Sequence, residues 1–201
     1  MISIVGLGPG QADYLTPLAS KLIQDSDWLV GAERQIKAIG AYSGQIHLLD
    51  KKLMDLVTWL QAHQTEHVVV LASGDPMLYG IGKFLSHQLG RHNIQIVSGI
   101  SAIQYLFARV GLDMNDVYLT SSHGKQPDFD FVLQHEKAAL VTDQIIGPYE
   151  IAQEVLKRGL ERTIIIGENL SYENEHIQVL NAQDVPKQIY QLNVVIIVNE
   201  R

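Results

Sequence analysis

Two short loops rich in glycine and proline carry much of the chemistry available to this 201-residue chain. Ser73-Gly74-Asp75-Pro76, with Tyr79-Gly80, follows the apolar run Val68–Ala72, and Gly6-Leu7-Gly8-Pro9-Gly10 follows Ile2-Ser3-Ile4-Val5. Loops that close buried strands of an α/β sheet are where small molecules bind, because backbone amides and short side chains approach a ligand there. Two such loops on one sheet imply one shared site. Asp75 ends an apolar strand, so its carboxylate either opens toward a ligand or starts a turn, the usual habit of Asp before Pro. Ser101-Ala102, after Ser98-Gly99-Ile100, forms another strand-to-helix junction, where capping of the helix by Ser101 is the plainer account. His123 stands in a polar loop, Ser121-Ser122-His123-Gly124-Lys125. A neutral imidazole, with a reference pKa of ~6.5, suits a general base near neutral pH, although a surface histidine is the more ordinary reading. Thr142-Asp143, ahead of Gly147-Pro148, and Gly167-Glu168-Asn169-Leu170 close two further strands.

Spacing and composition remove several other chemistries. A dinucleotide fingerprint needs G-x-G-x-x-G, whereas here the third glycine comes one residue early and Pro9 removes an amide that a phosphate would use. Lys83 follows Gly82, but Met77 and Phe84 occupy positions where a Walker A loop needs Gly and Ser or Thr. The eight histidines show neither H-x-H nor H-E-x-x-H spacing and there are no cysteines, so no metal site, disulfide or thiol nucleophile is expected. No serine lies in a G-x-S-x-G elbow. The formal net charge is -7 and no run of Lys and Arg offsets it, which argues against nucleic acid as a partner. Apolar runs such as Val194–Val198 fall far short of the ~20 residues that span a bilayer, so no membrane association is expected and a cytoplasmic location is the default.

The elements that must hold these loops alternate. Thr16-Pro17 reads as a helix start, with Leu18, Leu22 and Ile23 on the apolar face. Short strands are expected at Trp28–Val30 and His47–Leu49, a helix over Leu53–Leu60, then the strand Val68–Ala72. A helix over Ile81–Leu89, the strand Ile94–Val97 and a helix from Ser101 to Val110 continue a β-α pattern that builds a mainly parallel sheet. Turn-forming residues at Gly111-Leu112-Asp113-Met114-Asn115-Asp116 place a domain boundary there, giving domains 1–113 and 114–201. In the second half, strands are expected at Val117–Thr120, Ala138–Thr142, Thr163–Ile166, Ile177–Leu180 and Val194–Val198. One helix is marked by Pro148 at its start and Gly159 at its end. Only a short helical segment, Ala182–Ile189, separates the last two strands, so this second sheet should be mixed. The fold class is α/β, and loops of two such domains facing each other would form a cleft.

In order and spacing these motifs resemble those of the tetrapyrrole (corrin and porphyrin) methyltransferases. Val5-Gly6-Leu7-Gly8-Pro9-Gly10 looks like that family's first loop, Gly74-Asp75-Pro76 with Tyr79-Gly80 like its central loop, and Ser98-Gly99-Ile100-Ser101-Ala102 like a third motif in which Pro usually stands where Ser98 does. Ser122-His123-Gly124-Lys125, Thr142-Asp143 with Pro148, Gly167-Glu168-Asn169-Leu170 with Glu175-His176-Ile177, and Leu192-Asn193-Val194-Val195 are similar to the branch that methylates C5 of a precorrin, which commonly has Arg in place of Lys125.

The resemblance implies the two-domain tetrapyrrole methyltransferase fold, with a mainly parallel first sheet, a mixed second sheet and an active-site cleft between them. It implies S-adenosylmethionine as cofactor, touched by Pro9, Ser73, Gly74, Asp75, Leu78, Ser101 and Ala102, with Thr142, Gly167 and Leu170 joining them. It also implies C5-methylation of a cobalt-precorrin, cobalt-precorrin-7, in cobalamin synthesis, a homodimer, and a separate partner that methylates C15 and decarboxylates. An acidic chain that binds a polycarboxylate needs local positive charge, for which Arg34 and Lys125 are the candidates and Arg109 a further one. His123 is the candidate base for the C5 proton. Two alternatives stay open: methylation of another ring carbon in a corrinoid or porphyrin, and a non-catalytic protein that only holds a nucleoside ligand.

Overall fold

The computed structural model describes residues 1–49 and 52–199. The chain divides into two compact units, Met1–Ser101 and Ala102–Arg201.

The first unit runs β1 (Ile2–Gly6), α1 (Pro17–Gln24), β2 (Trp28–Gly31), α2 (Glu33–Ile39), β3 (Gln45–Leu48), α3 (Leu53–Ala62), β4 (Val68–Ala72), α4 (Gly82–Leu89) and β5 (Ile94–Val97). The strand order is β3-β2-β4-β1-β5 and every pairing is parallel. Successive strand residues face opposite sides of a sheet, and here both sides are covered, which is why the strands read as unbroken apolar runs. Ile4, Val30 and Val70 pack with Leu56, Leu60 and Leu85 on one side. Val5, Leu29, Val69 and Leu71 pack with Ala19 and Ile23 on the other. Each of these buried Val, Leu and Ile side chains contributes on the order of 1.5–3 kcal/mol. The Thr16 hydroxyl accepts from the Ala19 amide at 3.2 Å and Pro17 begins α1. Leu18 departs from expectation: it is 50% exposed, because the turn of α1 that meets the sheet presents Ala19 and Ile23 instead.

Helix α2 lacks a side-chain cap on Ala32 that would have marked it in sequence. Gln35 supplies the closure from inside the helix, its Oε1 accepting from the Ala32 amide at 2.8 Å.

The second unit begins with α5 (Ala102–Val110) and continues through β6 (Val117–Ser121), α6 (Phe129–Val132), β7 (Lys137–Val141), α7 (Pro148–Lys157), β8 (Thr163–Glu168), β9 (His176–Asn181) and β10 (Asn193–Val198). The units part between Ser101 and Ala102, twelve residues before the 113/114 boundary read from the sequence, and α5 packs on β7 and β10. The strand order is β6-β7-β10-β8-β9, with β6–β7 parallel and the other pairs antiparallel, a mixed sheet. The expected helical stretch Ala182–Ile189 is only a 3-10 turn over Ala182–Asp184. Pro186 holds Val185 extended and stops it. Among the described residues no helix is long and apolar enough to cross a membrane.

Candidate active site

In the first unit, β1 and β4 are neighbours in register, Gly6 opposite Ala72, so the loops that follow them leave the sheet side by side. Pairing continues past the strand ends: the Leu7 amide donates to the Ala72 carbonyl at 2.8 Å, Gly8 to Gly74 at 3.3 Å, and Gly74 back to Gly8 at 2.8 Å. Gly8 and Gly74 take φ of 80° and 64°, conformations that favour glycine. A methyl added at Gly6 would stand 2.5 Å from the Gly99 nitrogen and 2.6 Å from the Gly74 oxygen, so backbone approach is closest where the three loops meet. Pro9, Ser73, Gly74 and Asp75 are thereby gathered on one edge of the parallel sheet.

Both carboxylate oxygens of Asp75 are engaged by backbone. Oδ1 accepts from the Met77 amide at 2.7 Å, and Oδ2 accepts from the Gly99 amide at 3.3 Å. The first bond is the turn chemistry that Asp before Pro suggests, and the second ties the central loop to the loop after β5. Leu78, half-buried, is held in the same turn by its amide bond to the Asp75 carbonyl at 3.2 Å. Ser101 is buried and Ala102, half-buried, opens α5. Arg34, exposed on α2, reaches the same edge: its Nη2 donates to Ser73 Oγ at 3.2 Å, and Gln35 Nε2 donates to the same oxygen at 3.1 Å.

In the second unit, Thr142, Gly167 and Leu170 cluster at the start of β10. The Thr142 hydroxyl lies 2.7 Å from Asn193 Oδ1 and 2.9 Å from the Asn193 carbonyl oxygen, while Asn193 Nδ2 donates to the Gln191 carbonyl at 2.8 Å. Gly167 pairs with Val194 and has the Leu170 and Leu106 side chains pressed against it. His123 and Lys125 are exposed in the loop after β6. That loop is fastened by Asp143, which accepts from the amides of Gly124, Ile145 and Ile146 at 2.8–2.9 Å. These three amides, from Gly124, Ile146 and Ile145, with a further attraction from His123, hold the Asp143 carboxyl below the ordinary aspartate range. The Ser122 hydroxyl adds a bond to the Ile146 carbonyl at 2.8 Å. Arg109 is engaged elsewhere, in an ion pair with Glu175 at 2.9 Å.

The bonding roles of Gln35 and Asn193 and the Asp75–Gly99 link were invisible in the sequence. Each joins residues far apart in the chain by one polar side chain of a common type, and no local pattern distinguishes them from surface residues.

The polar groups of the first unit's loops are short hydroxyls and a carboxylate beside apolar Leu78, with Pro9 withholding an amide and the neighbouring loop amides bonded within the protein. Such a set suits a nucleoside with hydroxyls and a cationic tail better than a phosphate. A family model described as Tetrapyrrole (Corrin/Porphyrin) Methylases matches residues 1–186. The chain belongs to this family. Among individual tetrapyrrole methylases, it is 43% identical to the cobalt-precorrin-7 C(5)-methyltransferase of Salmonella typhimurium, over 100% of both chains. It is 27% identical to the precorrin-6Y C(5,15)-methyltransferase [decarboxylating] of a Sinorhizobium species, covering 79% of this chain and 39% of that one. The fold is that of the uroporphyrin-III C-methyltransferase of Thermus thermophilus solved with S-adenyl homocysteine: TM-score 0.82, 22% identity, 98% of this chain and 97% of that one.

Proposed function

We propose that this tetrapyrrole methylase transfers a methyl group from S-adenosylmethionine to C5 of cobalt-precorrin-7 in cobalamin synthesis. The observation that carries the reading is the 43% identity, end to end, to a protein of that activity. In this reading the C15 methylation and decarboxylation, which the name of the C(5,15) relative joins to the C5 step, are the work of a separate protein.

S-adenosylmethionine, when bound, supplies an electrophilic methyl group and departs as the neutral sulfide. Pro9, Ser73, Gly74, Asp75, Leu78, Ser101 and Ala102 hold it, and Thr142, Gly167 and Leu170 belong to the same set. Arg34 and Lys125 hold carboxylates of the macrocycle, since charge-assisted contacts concentrate positive charge that the acidic chain lacks overall. As the C5–CH3 bond forms, the C5 hydrogen leaves as a proton, and His123 receives it. Orientation of the two reactants can supply ~7–11 kcal/mol of the barrier, so rigid loops matter more here than a strong base. The chain works as a homodimer in the cytoplasm.

The test is formation of S-adenosylhomocysteine by the purified protein under anaerobic conditions. Turnover with cobalt-precorrin-7 and not with earlier corrinoids is expected. Binding of S-adenosylmethionine without turnover of any tetrapyrrole would reduce the protein to a nucleoside binder.

A further inference from the structure

The Ser73 hydroxyl receives two side-chain donors, from Arg34 and Gln35. The Gln35 amide has a fixed orientation: its Oε1 already accepts from the Ala32 amide at 2.8 Å, so the group facing Ser73 at 3.1 Å is the NH2, which can only donate. Arg34 Nη2, at 3.2 Å from the same oxygen, can also only donate. A serine hydroxyl has two acceptor lone pairs and one proton. Both lone pairs face α2, and Ser73 itself is exposed at the end of β4, beside the Gly74–Gly8 contact.

We propose that Gln35 is a positioning residue that, with Arg34, fixes Ser73 Oγ as a double acceptor and so commits its proton to an acceptor atom of the bound nucleoside cofactor. The inference rests on the reading of this edge as the S-adenosylmethionine site and adds to it a residue from α2 that touches no ligand. A hydroxyl free to rotate spends part of its time offering a lone pair where the ligand needs a donor. A hydroxyl held from behind by two donors does not. The same arrangement joins Arg34, placed on the substrate, to a residue placed on the cofactor, so that α2 sets both.

The proposal makes opposite demands on two near-isosteric side chains. In Gln35→Glu one carboxylate oxygen still accepts from the Ala32 amide, so the closure of α2 persists, but the other oxygen is an acceptor and turns the Ser73 proton inward. In Ser73→Ala the proton is gone. Titration calorimetry with S-adenosylhomocysteine reads both, with thermal unfolding as the check that each variant is folded. Each single variant should weaken binding about three- to tenfold, the worth of one ordinary hydrogen bond. The double variant should bind no more weakly than Ser73→Ala alone, because Gln35 acts only through Ser73. In turnover, Gln35→Glu should raise KM for S-adenosylmethionine with little change in kcat. Unchanged affinity in folded Ser73→Ala, or an equal penalty for Gln35→Glu with and without Ser73, would overturn the inference. Failure of the wild-type protein to bind S-adenosylhomocysteine would instead overturn the assignment of the site itself.

Discussion

Asp75 Oδ2 accepts a hydrogen bond from the Gly99 amide at 3.3 Å, across 24 positions of sequence. One carboxylate thus holds the central loop and the loop after β5 at the spacing that their glycines permit. Hydrogen bonds to a charged group are worth about 1.5–3 kcal/mol when sheltered and less where water competes. Asp75→Ala should therefore lower stability by about 1–2 kcal/mol, a fall in Tm of a few degrees for a chain of this size, while the protein stays folded. Its affinity for S-adenosylmethionine, measured by calorimetry, should drop at least tenfold. An unchanged affinity would remove Asp75 and its loop from the site.

Arg34 bonds Ser73 and is proposed to hold a substrate carboxylate as well. A guanidinium makes paired contacts that an ammonium does not reproduce. Arg34→Lys should raise KM for the tetrapyrrole about tenfold or more. KM for S-adenosylmethionine should move by no more than about threefold, because Gln35 still holds Ser73. Steady-state kinetics with each reactant varied in turn separates the two, and equal shifts would count against the substrate contact.

The loop that carries His123 is fastened by an acid with a depressed pKa. A carboxyl whose folded pKa is below its unfolded value adds stability that is fully present above the unfolded value, ~3.9 for Asp, and lost as pH falls through the folded one. Asp143 lies on that side, held low by the Gly124, Ile146 and Ile145 amides. The difference in Tm between the wild-type protein and Asp143→Asn should stay constant from pH 7 to about pH 4 and shrink only below that. A difference that disappeared between pH 7 and 5 would mean that another group fastens the loop.

How much of this was legible beforehand follows from the range of each interaction. The alternating strands and helices of the first unit came through because buried parallel strands and amphipathic helices leave periodic apolar patterns. The loops were visible because Gly8 and Gly74 are required by left-handed backbone, a local demand that only certain residues meet. Helix α2 was missed because its N-terminal closure comes from Gln35 and not from a capping Ser, Thr, Asp or Asn. The turn that follows α5 is a local signal, whereas the packing of α5 on β7 and β10 leaves none in the sequence. Thr142 and Gly167 could be named as site residues, whereas Asn193 stood only within the Leu192–Val195 motif, because its bond to Thr142 spans 51 positions and leaves no local mark.

His123 is the proposed acceptor of the C5 proton. Loss of a general base costs ~10²–10⁴-fold in rate. Single-turnover methyl transfer by His123→Ala and His123→Gln at saturating substrate should fall within that range, with S-adenosylmethionine affinity preserved. Rates close to wild type would mean that solvent or another group takes the proton.

The central claim is the position of the new carbon–carbon bond. The protein is incubated anaerobically with cobalt-precorrin-7 and S-adenosylmethionine labelled with 13C in its methyl group, and the product is analysed by NMR. A single labelled methyl on C5 is the expected result. A labelled methyl on any other ring carbon, or none on the macrocycle while S-adenosylmethionine is bound, would contradict it.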